Sequence, residues 1–384
     1  MKMKEVELGT TIFIVGYHLA LLIGLPFFFW FFSPSIGVWV SAFILLYLSG
    51  LSITAGYHRL YSHTSYKTNR WIEGFFLFFA TVATQGSALK WASDHRKHHA
   101  YVDTDLDPYS INKGFWYAHM LWLFRKSNPI DKKVVADLYR NPLVLFQHKF
   151  YIPLMLLSNT LSFLFVGYLF NDYMSAFVLT WWVRLFFLHH FTWFINSLAH
   201  TWGAQSFSQE HSAVDNYVIS LLTFGEGYHN YHHTFASDYR NGIRWYHFDP
   251  TKWMIWLLHR CGLAHNLRRV SHVRIKERIV IERKHELLLR LKNYWKSNKA
   301  LLEEAVERMT ADILIKFADF HRLVTEYKSH KSQPKPDKQM LKNLSLEIKS
   351  LKKGLKNDWR HWKKLSKDIM RLEPSLEIAK QTQI

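Results

Sequence analysis

Nine histidines in four short stretches carry the chemistry open to this sequence. Asp94–His99, DHRKHH, places imidazoles at His95, His98 and His99, and HNYHH repeats the spacing at His229, His232 and His233. Residues three and four apart share one face of an α-helix, so each stretch presents a cluster of imidazoles. Neutral imidazole suits iron, zinc and copper. HRLYSH adds His58 and His63, and NSLAH adds His200, four residues beyond Asn196. His58 and His63 lie about 140° apart on a continuous α-helix, so they can share a site only if that helix ends or tightens between them. Asn196, on the face of His200, is placed to reach a metal through water. The scattered His18, His119, His148, His211, His247, His259 and His265 read as surface or satisfied core residues.

Nine imidazoles are too many for one closed zinc site, which takes four ligands. They suit two metal ions with positions left open. Few carboxylates stand near them; Asp94, Asp103, Asp105 and Asp107 are expected to orient imidazole N–H groups rather than to bind metal. A dinuclear iron site with open positions activates oxygen, and beside apolar helices its natural substrate is a long hydrocarbon chain.

The elements that position these histidines are apolar. Apolar runs cover roughly 10–32, 36–55, 151–170 and 173–195, each about long enough for a bilayer core of roughly 30 Å. The 16 Trp and 29 Phe suit interfacial anchoring. The mean hydropathy of −0.12 averages this part with a strongly charged C-terminal region. The joints within the two hairpins carry no Lys or Arg, whereas 58–149 and everything after His200 are basic, so both termini and all histidine clusters are expected in the cytoplasm. The stretch 71–83 is short for a span and reads as an interfacial helix. The N-terminal run, with no small-residue cleavage site after it, reads as a retained anchor. Net charge is +19, which membrane topology and lipid headgroups explain; no nucleic-acid-binding module is legible. The single cysteine, Cys261, excludes an internal disulfide and a cysteine-based metal site. Arg184, His189 and His190 fall in the fourth run, where ionisable groups are functional or paired. From about Val273, leucines alternate with charges in amphipathic helices, a hairpin broken at Ser332–Lys338.

HRLYSH, DHRKHH with its trailing TDLDPYS, NSLAH and GEGYHNYHHTF, in this order, resemble the membrane fatty acid desaturases, and among them the stearoyl-CoA (acyl-CoA delta-9) desaturases. The resemblance covers roughly 10–270. It implies an all-α integral membrane protein: four transmembrane helices in two hairpins under a cytoplasmic helical cap that holds a diiron site. A desaturase domain, 1–270, is then followed by a charged helical extension, 271–384. The implied reaction takes dioxygen as co-substrate and removes two hydrogens from a saturated acyl chain to leave a cis double bond. The implied iron ligands are His58, His63, His95, His98, His99, His200, His229, His232 and His233, with Asn196 acting through water. Gln85, Trp91, Thr192 and Trp193 match positions that bend the substrate near the metals. Leu46 and Gly50 match the far end of the acyl tunnel, where side-chain size sets chain length. The family's basic residue before the second box is Ser93 here, which leaves Lys90, Arg96, Lys97, Lys113, Arg125 and Lys126 as candidate phosphate contacts.

Long-chain acyl-CoA is the favoured substrate over an acyl carrier protein or a phospholipid ester. No HPGG haem-binding motif stands in the sequence, so electrons are expected from a separate cytochrome b5-type protein or a ferredoxin, docked on the basic face. The rival enzyme is a membrane diiron hydroxylase. The rivals of other classes are a membrane metal transporter, which would want its ligands inside the spans, and a metal-stabilised scaffold.

Overall fold

The computed structural model describes residues 6–126, 129–292 and 298–372. The first five residues of the anchor and 293–297 of the charged tail therefore lie outside it. The chain divides into two compact units: Met1–Gln205 with Gln209–Arg269, and Ser206–Ser208 with Val270–Ile384.

The first unit is built on long apolar helices. α1 (Leu8–Phe31) runs unbroken through Pro26, and α2 (Ile36–Leu51) follows after a four-residue joint. Their outward faces carry bare apolar side chains such as Leu22, Phe31 and Ile36. α3 (Arg70–Val82) is capped by Asn69, which accepts from Ile72 N, and α4 (Ala88–Tyr101) by Ser87. α5 (Phe115–His119) and α6 (Pro142–Lys149) lead to α7 (Tyr151–Phe170). α8 (Tyr173–Ala176), a π-helical segment Phe177–Val183 and α9 (Arg184–Asn196) follow as one helical stretch. Among the described residues, three helices are long and apolar enough to cross a membrane: Leu8–Phe31, Ile36–Ser62 and Tyr151–Phe170. α10 (Tyr217–Leu222), α11 (His229–Thr234) and α12 (Pro250–Arg260) complete the unit, and β1 (Lys67–Thr68) pairs antiparallel with β2 (Ala264–His265).

Past Leu51, α2 does not tighten. It widens into a π-helix over Ser52–Ser62, closed by His63 N donating to His58 O at 3.1 Å. With hydrogen bonds to the fifth residue, a five-residue separation returns close to the same face, so His58 and His63 point together. Both α3 and α4 pack on this segment. Gly56 permits the approach of α3, since a Cβ there would lie 2.9 Å from Phe76 Cβ. The core around it holds Ile53, Tyr57, Phe76, Leu89, Leu188 and Phe224.

Arg184, buried at the start of α9, meets no carboxylate among the described residues. It donates to Thr180 O at 2.7 Å, Val82 O at 3.2 Å and Asn159 Oδ1 at 2.6 Å, tying α9 to α7 and to the end of α3. His189 is shared between Tyr17 Oη at 3.0 Å and Ala83 O at 3.1 Å, and His190 lies between His18 and His119. These are the partners that the sequence did not reveal.

The described residues of the second unit form three packed helices, α13 (His272–Lys292), α14 (Lys299–Lys331) and α15 (Lys338–Met370). The sequence reading placed the α14–α15 break at these residues; α13 joins them as a third member. Val280, Leu287, Phe317, Leu355, Trp362 and Ile369 form its core, each such side chain contributing about 1.5–3 kcal/mol on full burial.

Candidate metal centre

The nine histidines converge into two groups. His58, His63, His95, His99 and His232 form one; His98, His200, His229 and His233 form the other; within each, the ligand nitrogens lie within 4.8 Å of one another. The helices explain the division. α4 sends the i, i+4 pair His95 and His99 to the first group and His98, about 100° around from its neighbour His99, to the second. α11 does the reverse, sending His229 and His233 to the second group and His232 to the first. The single-face cluster expected from DHRKHH is therefore split between two sites. His99 and His233 stack at the boundary, ring centroids 4.2 Å apart.

Four of the outer nitrogens face polar partners, whereas His229 Nδ1 is buried with no hydrogen-bond partner among the described residues. His98 Nδ1 donates to Asp107 at 2.9 Å, and His58 Nδ1 faces Glu226 Oε2 at 3.0 Å. The Tyr109 hydroxyl lies 3.2 Å from His95 Nδ1. His200 Nδ1 bonds Ser212 Oγ at 2.7 Å, and Asp103 accepts from that hydroxyl and from Ser212 N, each at 2.6 Å. Of the four acids expected to orient imidazoles, Asp107 does so directly and Asp103 through Ser212. Asp94 is instead paired with Lys90, and Asp105 is exposed. Glu226 escaped the sequence reading although it stands three residues before His229.

The Nε2 atoms face inward. They approach at 2.9 Å for His63–His95, 3.0 Å for His58–His232 and His99–His232, 3.1 Å for His229–His233 and 3.3 Å for His98–His233. Burial, and then the charge of neighbouring imidazoles, holds His63, His95, His99, His229, His232 and His233 well below the ordinary histidine range. Neutral rings at these separations point lone pairs at one another, an arrangement that a cation relieves. His200 Nε2 is buried with no hydrogen-bond partner among the described residues. Five and four imidazoles, without a thiolate, fit two borderline transition-metal ions.

Glu226 anchors the first group. Burial alone would raise its carboxyl, but Arg59 and His58 outweigh that and hold it at about 2. Arg59 bridges Glu226 at 2.9 Å and Asp249 at 3.0 Å, all three fully buried. Truncating one member of such a set strands a charge and costs about 3–5 kcal/mol.

A cavity of about 830 Å³ opens onto the first group, lined by His58 and His95 together with Asn196 and Glu226. Gln85, Trp91, Thr192 and Trp193 all line it; Gln85 Nε2 donates to Thr192 Oγ1 at 2.9 Å, and Trp91 stacks on His95 at 4.8 Å. Apolar walls come from Phe13, Ile14, Ile53 and Met155, while Lys90, Lys113, Arg125 and Lys126 supply positive charge.

Four residues singled out from the sequence are not in that lining. Arg96 is a strut: it donates to Asp137 at 2.7 and 2.8 Å and to the carbonyls of Ser62, Tyr61 and Val134, which consumes its guanidinium. Lys97 also lies outside the lining. So do Leu46 and Gly50, which pack in the region of Phe224; a Cβ on Gly50 would run into the Phe224 ring.

The family model described as fatty acid desaturase matches residues 33–265. The chain is 42% identical over 277 residues to the probable acyl-CoA desaturase of Schizosaccharomyces pombe, covering 70% of this chain and 58% of that protein. It is 40% identical over 272 residues to acyl-CoA desaturase 1 of Saccharomyces cerevisiae, covering 68% and 53%. It is 36% identical over 245 residues to the sn-2 palmitoyl-lipid 9-desaturase of Nostoc, covering 61% and 82%. The chain thus spans just over half the length of the two yeast proteins. All nine histidines fall within the matched span, and the chain belongs to the fatty acid desaturase family.

Proposed function

We propose that this chain is an oxygen-dependent desaturase that converts a saturated long-chain acyl-CoA into its cis-monounsaturated product, with the double bond at the delta-9 position. The observation that carries the reading is the opening of an apolar cavity, at His58 and His95, onto the first of two adjacent histidine groups. The nine histidines would hold two iron ions, with Asn196 reaching the second group through water. Bound there, a diiron centre supplies the oxidising power to remove hydrogen from unactivated methylenes.

The protein's own contribution is position. Asp107, Glu226 and the Asp103–Ser212 pair fix ring orientation, as the outer partners of metal-bound histidines generally do. Gln85 and Thr192, joined by their hydrogen bond, form a polar step in an otherwise apolar wall, where a chain must bend past Trp91 and Trp193. That bend selects the carbon pair presented to the metals. The exposed Lys113, Arg125 and Lys126, with the half-buried Lys90, suit the phosphates of a coenzyme A carrier.

Four spans, with both termini and the histidines on the cytoplasmic side, accommodate the three long apolar helices plus Tyr173–Asn196, whose internal Arg184 is satisfied by protein oxygens. Electrons would arrive from an external cytochrome b5-type protein or ferredoxin. The test is expression in cells that lack their own desaturase, followed by location of double bonds in the fatty acids. A monounsaturated product two hydrogens lighter supports the reading. A hydroxylated product, or no lipid change with metal flux across vesicles, overturns it.

A further inference from the structure

The helices of the second unit lie beyond the family match, and they differ sharply in charge. α14 carries six Lys and Arg against six Asp and Glu, and ion pairs tie many of them, as in Lys316–Asp358 and Lys284–Glu307. α15 carries ten Lys and Arg against three acids. No ion pair to any of those ten is found among the described residues.

Their spacing is not that of a generally charged helix. Lys349, Lys352, Lys353, Lys356, Arg360, Lys363, Lys364 and Lys367 follow one another at steps of one, three and four, and Lys338 and Lys342 continue the row. At about 100° per residue, all ten fall in a stripe about 120° wide and about 44 Å long. Glu347, Asp358 and Asp368 fall outside the stripe. The opposite face, with Leu344, Leu355, Trp362 and Ile369, is buried in the three-helix core. Like charges four apart destabilise a helix, so the stripe works against the stability of α15. A solvated face has no use for such a row; α14, in the same unit, shows the mixed pattern that solvation favours.

We propose that this stripe docks on the anionic lipid headgroups of the membrane that holds the apolar helices. The reading rests on the membrane placement proposed above. A straight row of cations matches a flat, negatively charged surface, and covalent attachment to membrane-spanning helices keeps that surface at high local concentration. Because the apolar face of α15 is already used in the core, the contact is at headgroup level, electrostatic and salt-sensitive.

The test uses the full chain reconstituted in bilayers of phosphatidylcholine alone or mixed with phosphatidylglycerol, with tryptic cleavage at Lys349–Lys367 as readout. Cleavage in α15 should fall several-fold in the anionic bilayer and return at high salt, while cleavage in α14 stays unchanged. Replacing Lys352, Lys353, Lys356, Lys363, Lys364 and Lys367 by Gln should abolish the protection, read in parent and variant alike at Lys349 and Arg360, the two sites the variant retains, and replacing them by Arg should keep it. Helicity by circular dichroism confirms that either variant is folded. Equal cleavage in both bilayers, or protection only on adding an acidic protein or nucleic acid, overturns the proposal. Extraction of the chain by alkaline wash would instead overturn the membrane placement beneath it.

Discussion

Glu226 Oε2 stands 3.0 Å from His58 Nδ1, and Arg59, next to that histidine in the chain, holds the other oxygen of the same carboxylate. One buried acid therefore fixes a metal-facing ring and neutralises an adjacent cation. Glu226→Gln keeps the size of the side chain and removes the charge. Loss of an outer partner of this kind lowers metal affinity about 10–100-fold. Iron retained after dialysis against a chelator should fall accordingly, with Arg59 still held by Asp249. Unchanged iron retention would remove Glu226 from the account.

The hydrogen bond between Gln85 and Thr192 gives a second prediction. Thr192→Val preserves shape but leaves the Gln85 amide without its acceptor, at about 1–3 kcal/mol. The polar step in the cavity wall is loosened, so products should spread over neighbouring double-bond positions. Double-bond mapping of the products checks this; an unaltered single position would separate this pair from substrate placement.

Gly50 tests packing. The Phe224 ring occupies the space a side chain there would need, and overpacking of this kind typically costs about 1–3 kcal/mol. Gly50→Leu should lower the melting temperature of the detergent-solubilised protein. Gly50→Leu combined with Phe224→Ala should recover part of the loss; no recovery would show that another contact sets it.

Asp215 supplies a pH dependence. Burial pushes its carboxyl up to about 7 against the pull of hydrogen bonds from the backbone of Tyr231 and Asn230. An unfolded aspartate titrates near about 3.9, so between roughly pH 4 and 7 the folded state holds a proton that the unfolded state has lost. Stability from this group is full below that window and is lost as pH rises through it. Asp215→Asn keeps an oxygen for Tyr231 N and removes the titration. Its melting temperature relative to the parent should therefore rise from pH 5 to pH 8. Parallel curves would contradict the assignment.

Much of the site was legible because helical spacing is written directly in sequence. DHRKHH and HNYHH announce clustered imidazoles. Their division between two groups was not legible, because it depends on how α4 and α11 face each other. His58 and His63 are expected to pair only if the helix ends or tightens between them; it does end at Ser62, but the turns before that end are wider, not tighter. A π-helix widens the turn by one residue without altering the apolar pattern of Ser52–Ser62 that a reader scans. Glu226 and Arg59 are 167 residues apart, and Arg184 and Asn159 meet across two helices; neither pairing leaves a local signal. Arg96 illustrates the opposite error. A basic residue inside a histidine box invites the role of a phosphate contact, yet its donors are spent on Asp137 and three carbonyls. The α14–α15 break was readable from SQPKPDK, since proline and polar residues stop helices wherever they occur.

The most direct measurement is the iron content of the purified full chain, set beside that of single-site variants in each histidine group. Two irons per chain are expected, with His232→Ala depleting the first group and His229→Ala the second. A chain that binds zinc in place of iron, or that keeps its full iron when either histidine is removed, would contradict the central claim that the two groups are paired iron sites.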